Sequence, residues 1–214
     1  MWGTRNDIWY NKTHKDGKML LQWATQYLEE YRIAMDLLPI AQKSIQHIMR
    51  WSPPPAPSLK FNVDGAIFVE LHSVEVGVIS RDWNGRFVAA MCKRIHAPLR
   101  PLEAKSRVVE VGLQFAKQLG VFDFIIKGDS LIVSRALSQS SSVPASIDVV
   151  IMGITSAALE FHNVYFSHVK CNANTPAHLQ AKYAKGIVHQ YMWIENCPSF
   201  LELAILHDVN STVI

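Results

Sequence analysis

The chain has 214 residues, 49% of them hydrophobic and 18% charged, which suits one packed domain with an appendage and excludes a disordered or fibrous chain. Its net charge of +3 comes from scattered basic residues, so a polyanionic partner is permitted but not demanded. Cys92, Cys171 and Cys197 are odd in number and share no CxxC spacing, so neither a disulfide framework nor a zinc knuckle is suggested and they read as reduced thiols.

The opening "MWGTRNDIWYNK" lacks the basic-then-apolar profile of a signal peptide. The longest apolar stretch, "VVIMGITSAAL" from Val149, is shorter than the roughly 18 residues of a membrane span. The expectation is an intracellular protein, nuclear or cytoplasmic, with no membrane partner. Between Lys18 and Met49, apolar residues at steps of three and four, among them Leu20, Trp23, Tyr27, Tyr31 and Leu38, predict an amphipathic helix broken near Pro39. Its apolar face calls for a covering partner, the following domain, another protein chain or a lost neighbour, which the sequence does not identify. Prolines in "WSPPPAPSLK" then mark a boundary, giving an N-terminal helical segment 1–50, a Pro-rich linker 51–58, a domain 59–190 and a C-terminal tail 191–214.

Three β-like runs open the domain: "LKFNVDGAIF", "VEVGVISRD" and "RFVAAMCKRI", the last two joined by Asn84-Gly85, a hairpin signal. "PLEAKSRVVEVGLQFAKQLG" starts at Pro101, ends at Gly120 and carries a helical apolar stripe. "VFDFIIKGDS" reads as a buried strand, followed by helical "LIVSRALSQ", helical "SIDVVIMGITSAALEF", strand "NVYFSHVK" and helical "TPAHLQAKYAKGIVHQ". The order β-β-β-α-β-α-α-β-α predicts an α/β fold, a mixed sheet flanked by helices.

Three carboxylates stand out: Asp64 among β-formers, Glu103 in the first turn of the long helix, and Asp129 just after the fourth strand. Each has an ordinary structural role open to it: a solvent-facing or turn-bonded strand residue, a first-turn carboxylate favoured by the helix dipole, and a helix N-cap. Brought together they would repel one another without a cation, so a cluster implies a hard metal such as Mg²⁺. Glu110 shares a face with Glu103 but reads better as a solvated or salt-bridged side chain, and Trp83 as a hairpin support. Lys93 and Arg94, with His96 and Arg100, read equally as a basic edge able to meet phosphates or as a solvated strand end.

The motifs "FNVDGA", "GVISRDWNGRFVAA", "LEAKSRVVEVGLQFAKQLG", "IIKGDSLIVSRAL" and "SHVKCNANTPAHLQAKYA" resemble the ribonuclease H superfamily. The resemblance is to plant ribonuclease H-like domains related to non-LTR retrotransposon reverse transcriptases, and it runs from Lys60 to about Tyr183. It implies a ribonuclease H-like fold with a five-stranded mixed sheet in the order 3-2-1-4-5. It also implies hydrolysis of the RNA strand of RNA–DNA hybrids by two Mg²⁺ ions, with Mn²⁺ as a substitute. On that resemblance Asp64 bridges both metals, with Gly65 leaving room beside it, and Glu103 and Asp129 hold the metal on the leaving-group side. The fourth acidic position, four residues after Asn174, is His178, a poorer ligand for Mg²⁺ than for Mn²⁺. Asn174, Lys93 and Arg94 are the expected nucleic-acid contacts. Two functions follow: an endonuclease weakened by His178, or a retrotransposon-derived module that binds RNA–DNA hybrid or structured RNA without useful turnover.

Overall fold

The computed structural model describes residues 51–210, all within one compact unit, Gln46–Ile214. The amphipathic helix expected between Lys18 and Met49 lies outside the described residues, as do the last four residues of the chain. Strands β1 (Leu59–Phe68), β2 (Ser73–Arg81) and β3 (Phe87–His96) form an antiparallel meander. Helix α1 (Pro101–Gln118) leads to β4 (Asp123–Gly128), which lies parallel to β1. Helices α2 (Leu131–Leu137) and α3 (Asp148–Ala158) then lead to β5 (Asn163–His168), parallel to β4, and α4 (Thr175–Tyr183) follows.

The hairpin between β2 and β3 uses Gly85 in the left-handed region, φ 78°, as the Asn-Gly pair predicts. Asp82 closes it, its Oδ1 accepting from the N–H of Asn84 at 2.9 Å and of Arg86 at 2.8 Å.

The five expected strands stand in the expected order, and a sixth adds to them: the sheet runs β5-β4-β1-β2-β3-β6. Strand β6 (Gln190–Ile194) falls almost entirely within the residues set down above as a tail and pairs antiparallel with β3, from Ala89↔Ile194 to Lys93↔Gln190. This pairs backbone groups of β3 that would otherwise form the sheet edge. Helix α5 (Ser199–Asn210) follows, and its Leu201 is fully buried with Ile79, Ala90 and Ala177. Phe200 stacks on Tyr183 at 4.5 Å between ring centroids, joining the extension to α4.

Alternation along β1 divides its side chains between two layers. Phe61 and Val63 face α1, α2 and α3 in the main core with Phe115, Phe124 and Ile126. Lys60, Asn62 and Asp64 are buried on the opposite face, where α4 packs on β1, β2 and β3. Polar residues are therefore built into a covered sheet face, an arrangement that requires partners for each of them. Trp51, in the Pro-rich segment, supplies one: its indole N–H donates to Asn62 Oδ1 at 3.2 Å, and the ring is 3% exposed.

Gly77 fixes how close α4 comes. A Cβ at this position would stand 2.3 Å from both Ala177 O and Ala181 N, so the helix backbone rests directly on β2. Because Gly77 is the register partner of Asp64, that contact brings the start of α4 beside the carboxylate.

Candidate nucleic-acid cleft

The cleft, a cavity of about 340 Å³, opens where β1 and β4 meet the start of α4; Asp64, Lys105, Asp129, Cys171, Asn172 and His178 line it. Its two carboxylates come from neighbouring parallel strands. Val63 pairs with Gly128, so Asp64 and Asp129 each follow one member of a register pair. Asp129 is not the cap of α2; Ser130 is, accepting from the N–H of Val133 at 3.4 Å, which leaves the Asp129 carboxylate to face the cleft.

Between the carboxylates stands a lysine. Lys105 Nζ lies 2.6 Å from Asp64 Oδ1 and 2.7 Å from Asp129 Oδ1, and donates to Asp129 Oδ2 at 2.9 Å. Burial alone would lower its pKa, but the two carboxylates outweigh burial and hold it above the ordinary value. On the other side of Asp64, His178 Nδ1 stands 2.7 Å from Oδ2 with its ring half exposed, while the N–H of Gly65 donates to Oδ1 at 2.8 Å. Cys171 Sγ lies 3.7 Å from Asp129 Oδ2, and its thiol is pushed up by burial and then by that carboxylate.

Asp64, Asp129 and His178 are thus brought to one cavity, and Glu103 is not. Glu103 Oε2 accepts from the N–H of Arg100 at 2.8 Å, closing a capping box at the start of α1. Helix geometry explains the outcome: Glu103 lies two residues, about 200°, around the helix from Lys105. Lys105 continues the stripe of Gly112 and Val109, whose Gly112 meets Val63 and Ile126 of the sheet. The same stripe, followed backwards from Gly112 in the sequence, would have found Lys105.

Of the other expected contacts, Asn174 lines the cleft, and it and Arg94 also make hydrogen bonds inside the protein. Asn174 is 2% exposed, its Oδ1 accepting from Asn62 Nδ2 at 2.9 Å and its Nδ2 donating to Val63 O at 3.0 Å; it pins α4 to β1. Arg94 Nε donates to Glu75 at 3.0 Å, and its Nη2 to the carbonyl of Lys185. Neither Lys93 nor Arg94 lines the cleft. Gly65, expected to leave room beside Asp64, lines the cleft and also admits α1, since a Cβ there would stand 2.5 Å from Val108 Cγ2.

A divalent pair needs oxygen ligands converging on empty space, at 2.0–2.1 Å for Mg²⁺. Here an ammonium already fills the space between the two aspartates, and the third carboxylate expected at the site caps a helix. Among the described residues no group of three or more His, Cys, Asp or Glu side chains is placed to hold a metal ion. The residues as they stand do not fit the metal pair.

The mixed sheet, its flanking helices and the aspartate cleft at the ends of β1 and β4 define a ribonuclease H-like domain. Residues 62–184 match the model of the reverse transcriptase-like family, more than half of the chain, and the chain belongs to that family. Among solved structures it is similar to RNase H1 from Halobacterium salinarum NRC-1, with a TM-score of 0.55 and 20% identity over 60% of this chain and 97% of that one. It is also similar to the N-terminal RNase H domain of a Mycobacterium tuberculosis protein, with a TM-score of 0.53 and 19% identity over 59% and 92% of the two chains. LC11-RNase H1 in complex with an RNA/DNA hybrid matches with a TM-score of 0.54 and 16% identity, over 59% of this chain and 96% of that one. No curated protein matches the chain. Strand β6 and helix α5 lie beyond the family match. Among the described residues no helix is long and apolar enough to cross a membrane.

Proposed function

We propose that this domain, derived from a retrotransposon ribonuclease H, binds RNA–DNA hybrid or structured RNA in the cleft without hydrolysing it. The single observation that carries the reading is the Lys105 ammonium between Asp64 and Asp129, 2.6 and 2.7 Å from their oxygens. A nuclease of this class uses its carboxylates to gather metal ions; here one ammonium of the chain itself is shared between them and offsets half of their charge. With Lys105 in place the carboxylate pair repels a phosphate backbone less than two bare aspartates would. The nucleic acid is assigned from the fold and family, and from the structural neighbour seen with an RNA/DNA hybrid.

The endonuclease reading draws on Asp64, Asp129 and His178 sharing one cavity. One assay separates the two. Labelled RNA–DNA hybrid is incubated with wild type, Asp64→Asn and Asp129→Asn in Mg²⁺ and in Mn²⁺, with binding followed by fluorescence anisotropy. The expected result is saturable binding by wild type with no cleavage above that of the Asn variants. Cleavage that either Asn substitution abolishes would restore the nuclease, and absence of binding would remove the function proposed.

A further inference from the structure

We infer that Lys105 is a resident cation: its ammonium takes the place of a divalent ion at the Asp64–Asp129 pair and keeps metal out of the cleft. The inference rests on the binding reading above and names the residue that decides it.

The geometry leaves one position for a cation. An ion bridging Asp64 Oδ1 and Asp129 must lie between those oxygens, and Nζ is already there, within 2.9 Å of three of them. Two positive centres cannot share that space, on grounds of size as well as charge. For an ion to enter, Lys105 must swing out and give up both aspartates. The lysine side chain is only 26% exposed, and its stem continues the Gly112–Val109 stripe turned toward the sheet, so leaving breaks both ion pairs and leaves two largely buried carboxylates uncompensated. The aspartates are equally tied to it, since Asp64 is 6% exposed and Asp129 16% exposed, and neither would lack a counter-charge in silence.

The rest of the donor set supports this assignment. Asp64 divides its oxygens, Oδ1 to Lys105 and the Gly65 N–H, Oδ2 to His178. No oxygen of Asp64 is left without a partner for an ion to capture. Glu103, the third carboxylate expected at the site, is held by the N–H of Arg100. The resident cation therefore makes the cleft independent of metal supply, and a single substitution should reverse this. A carboxylate at position 105 would sit on the same helix face, add a third negative group to the pair and create a divalent-cation site.

The test is Mn²⁺ binding, read by loss of the free-ion electron paramagnetic resonance signal, in wild type, Lys105→Glu, Lys105→Gln and Lys105→Glu/Asp64→Asn, with melting curves for each. Wild type is expected to show no saturable binding below millimolar Mn²⁺. Lys105→Glu should bind at least roughly 10–100-fold tighter, the scale on which even a group supporting a metal ligand moves affinity, and Asp64→Asn should cancel the gain. Lys105→Gln removes the charge at nearly constant size, so it decides the matter if the Glu variant does not fold. It should gain Mn²⁺ affinity on its own. Wild-type binding as tight as that of Lys105→Glu would overturn the inference, as would folded Gln and Glu variants that take up no ion. Hybrid anisotropy with and without EDTA runs in parallel. If no hybrid binds, the proposed function falls while the Mn²⁺ comparison still decides the role of Lys105.

Discussion

His178 Nδ1 meets Asp64 Oδ2 at 2.7 Å across 114 residues of sequence. The contact exists because Gly77, opposite Asp64 in β2, lets the backbone of α4 rest on the sheet. Gly77→Ala would drive a methyl into Ala177 O and Ala181 N, both backbone atoms that no rotamer change can move. The substitution should cost about 3 kcal/mol in urea unfolding, the upper part of the overpacking range. It should also shift the His178 ring resonances as the helix is pushed off. A variant as stable as wild type would mean that α4 does not sit this close.

Lys105 links folding to alkaline pH. Its pKa in the folded protein is raised above the ordinary 10.5, because the two carboxylates outweigh burial. A raised base contributes stability that is fully present below the unfolded value and is lost as pH rises through the folded one. Lys105→Met should therefore cost about 3 kcal/mol at pH 7, the penalty of leaving buried charges without their partner. The gap between variant and wild type should hold up to about pH 10 and narrow above it. Unfolding free energies from urea titrations at pH 7, 9 and 11 measure the gap directly, and a gap that widens at pH 11 would contradict the ion pairs.

Much of the fold could be read from local chemistry. The Asn84-Gly85 turn joins adjacent strands, and the Pro101 and Gly120 signals bound α1 to within two residues. Strand β6 escaped because five residues, "QYMWI", carry no alternation strong enough to announce a strand and gain their pairing only from β3, about a hundred residues earlier. The cleft was legible in part for the same reason. Asp64 on β1 and Asp129 just past the end of β4 stand at positions that motifs mark, but Glu103 and Lys105 are separated only by rotation about a helix. Asn174 and Arg94 look like surface groups until partners 112 and 19 residues away are known. What one residue does locally could be inferred; which distant group uses its hydrogen bonds could not.

Lys60 should respond to pH in the opposite sense to Lys105. Its ammonium is buried on the α4 side of the sheet, donating to the carbonyl of Ser52 and lying 5.1 Å from the centre of the Trp51 ring. Burial, then Lys127 and Arg81, lower its pKa from 10.5 to about 7. Between those values the unfolded chain binds the proton and the folded protein does not, so stability rises with pH from about 7 toward 10. Lys60→Met should stabilise the domain at pH 6, by on the order of 2 kcal/mol, and progressively less by pH 9. Thermal melts of both proteins across that range test the sign. An equal gain at pH 6 and pH 9 would show that Lys60 stays charged throughout.

Arg81 and Asp208 show what holds the C-terminal extension in place. Arg81 is fully buried, its Nη2 donates to Asp208 Oδ2 at 2.9 Å, and its guanidinium lies 3.7 Å from the centre of the Trp51 ring. Burial pulls its pKa down to about 10 against the pull of Asp208, and burial likewise raises Asp208. Among the described residues Arg81 Nε and Nη1 have no hydrogen-bond partner, so Asp208 carries the compensation for this charge together with the face of Trp51. Asp208→Ala should therefore cost about 3–5 kcal/mol, because it leaves a buried guanidinium without its carboxylate. Hydrogen exchange should quicken in α5 and β6 ahead of β1 and β4, since the extension is the part that the pair fastens. Replacing both partners, Arg81→Met with Asp208→Leu, removes the charge along with its counter-charge and should recover most of the loss. If the double variant is no more stable than Asp208→Ala, the pair does not act as a unit and the extension is held by Leu201 and the Tyr183–Phe200 stack instead.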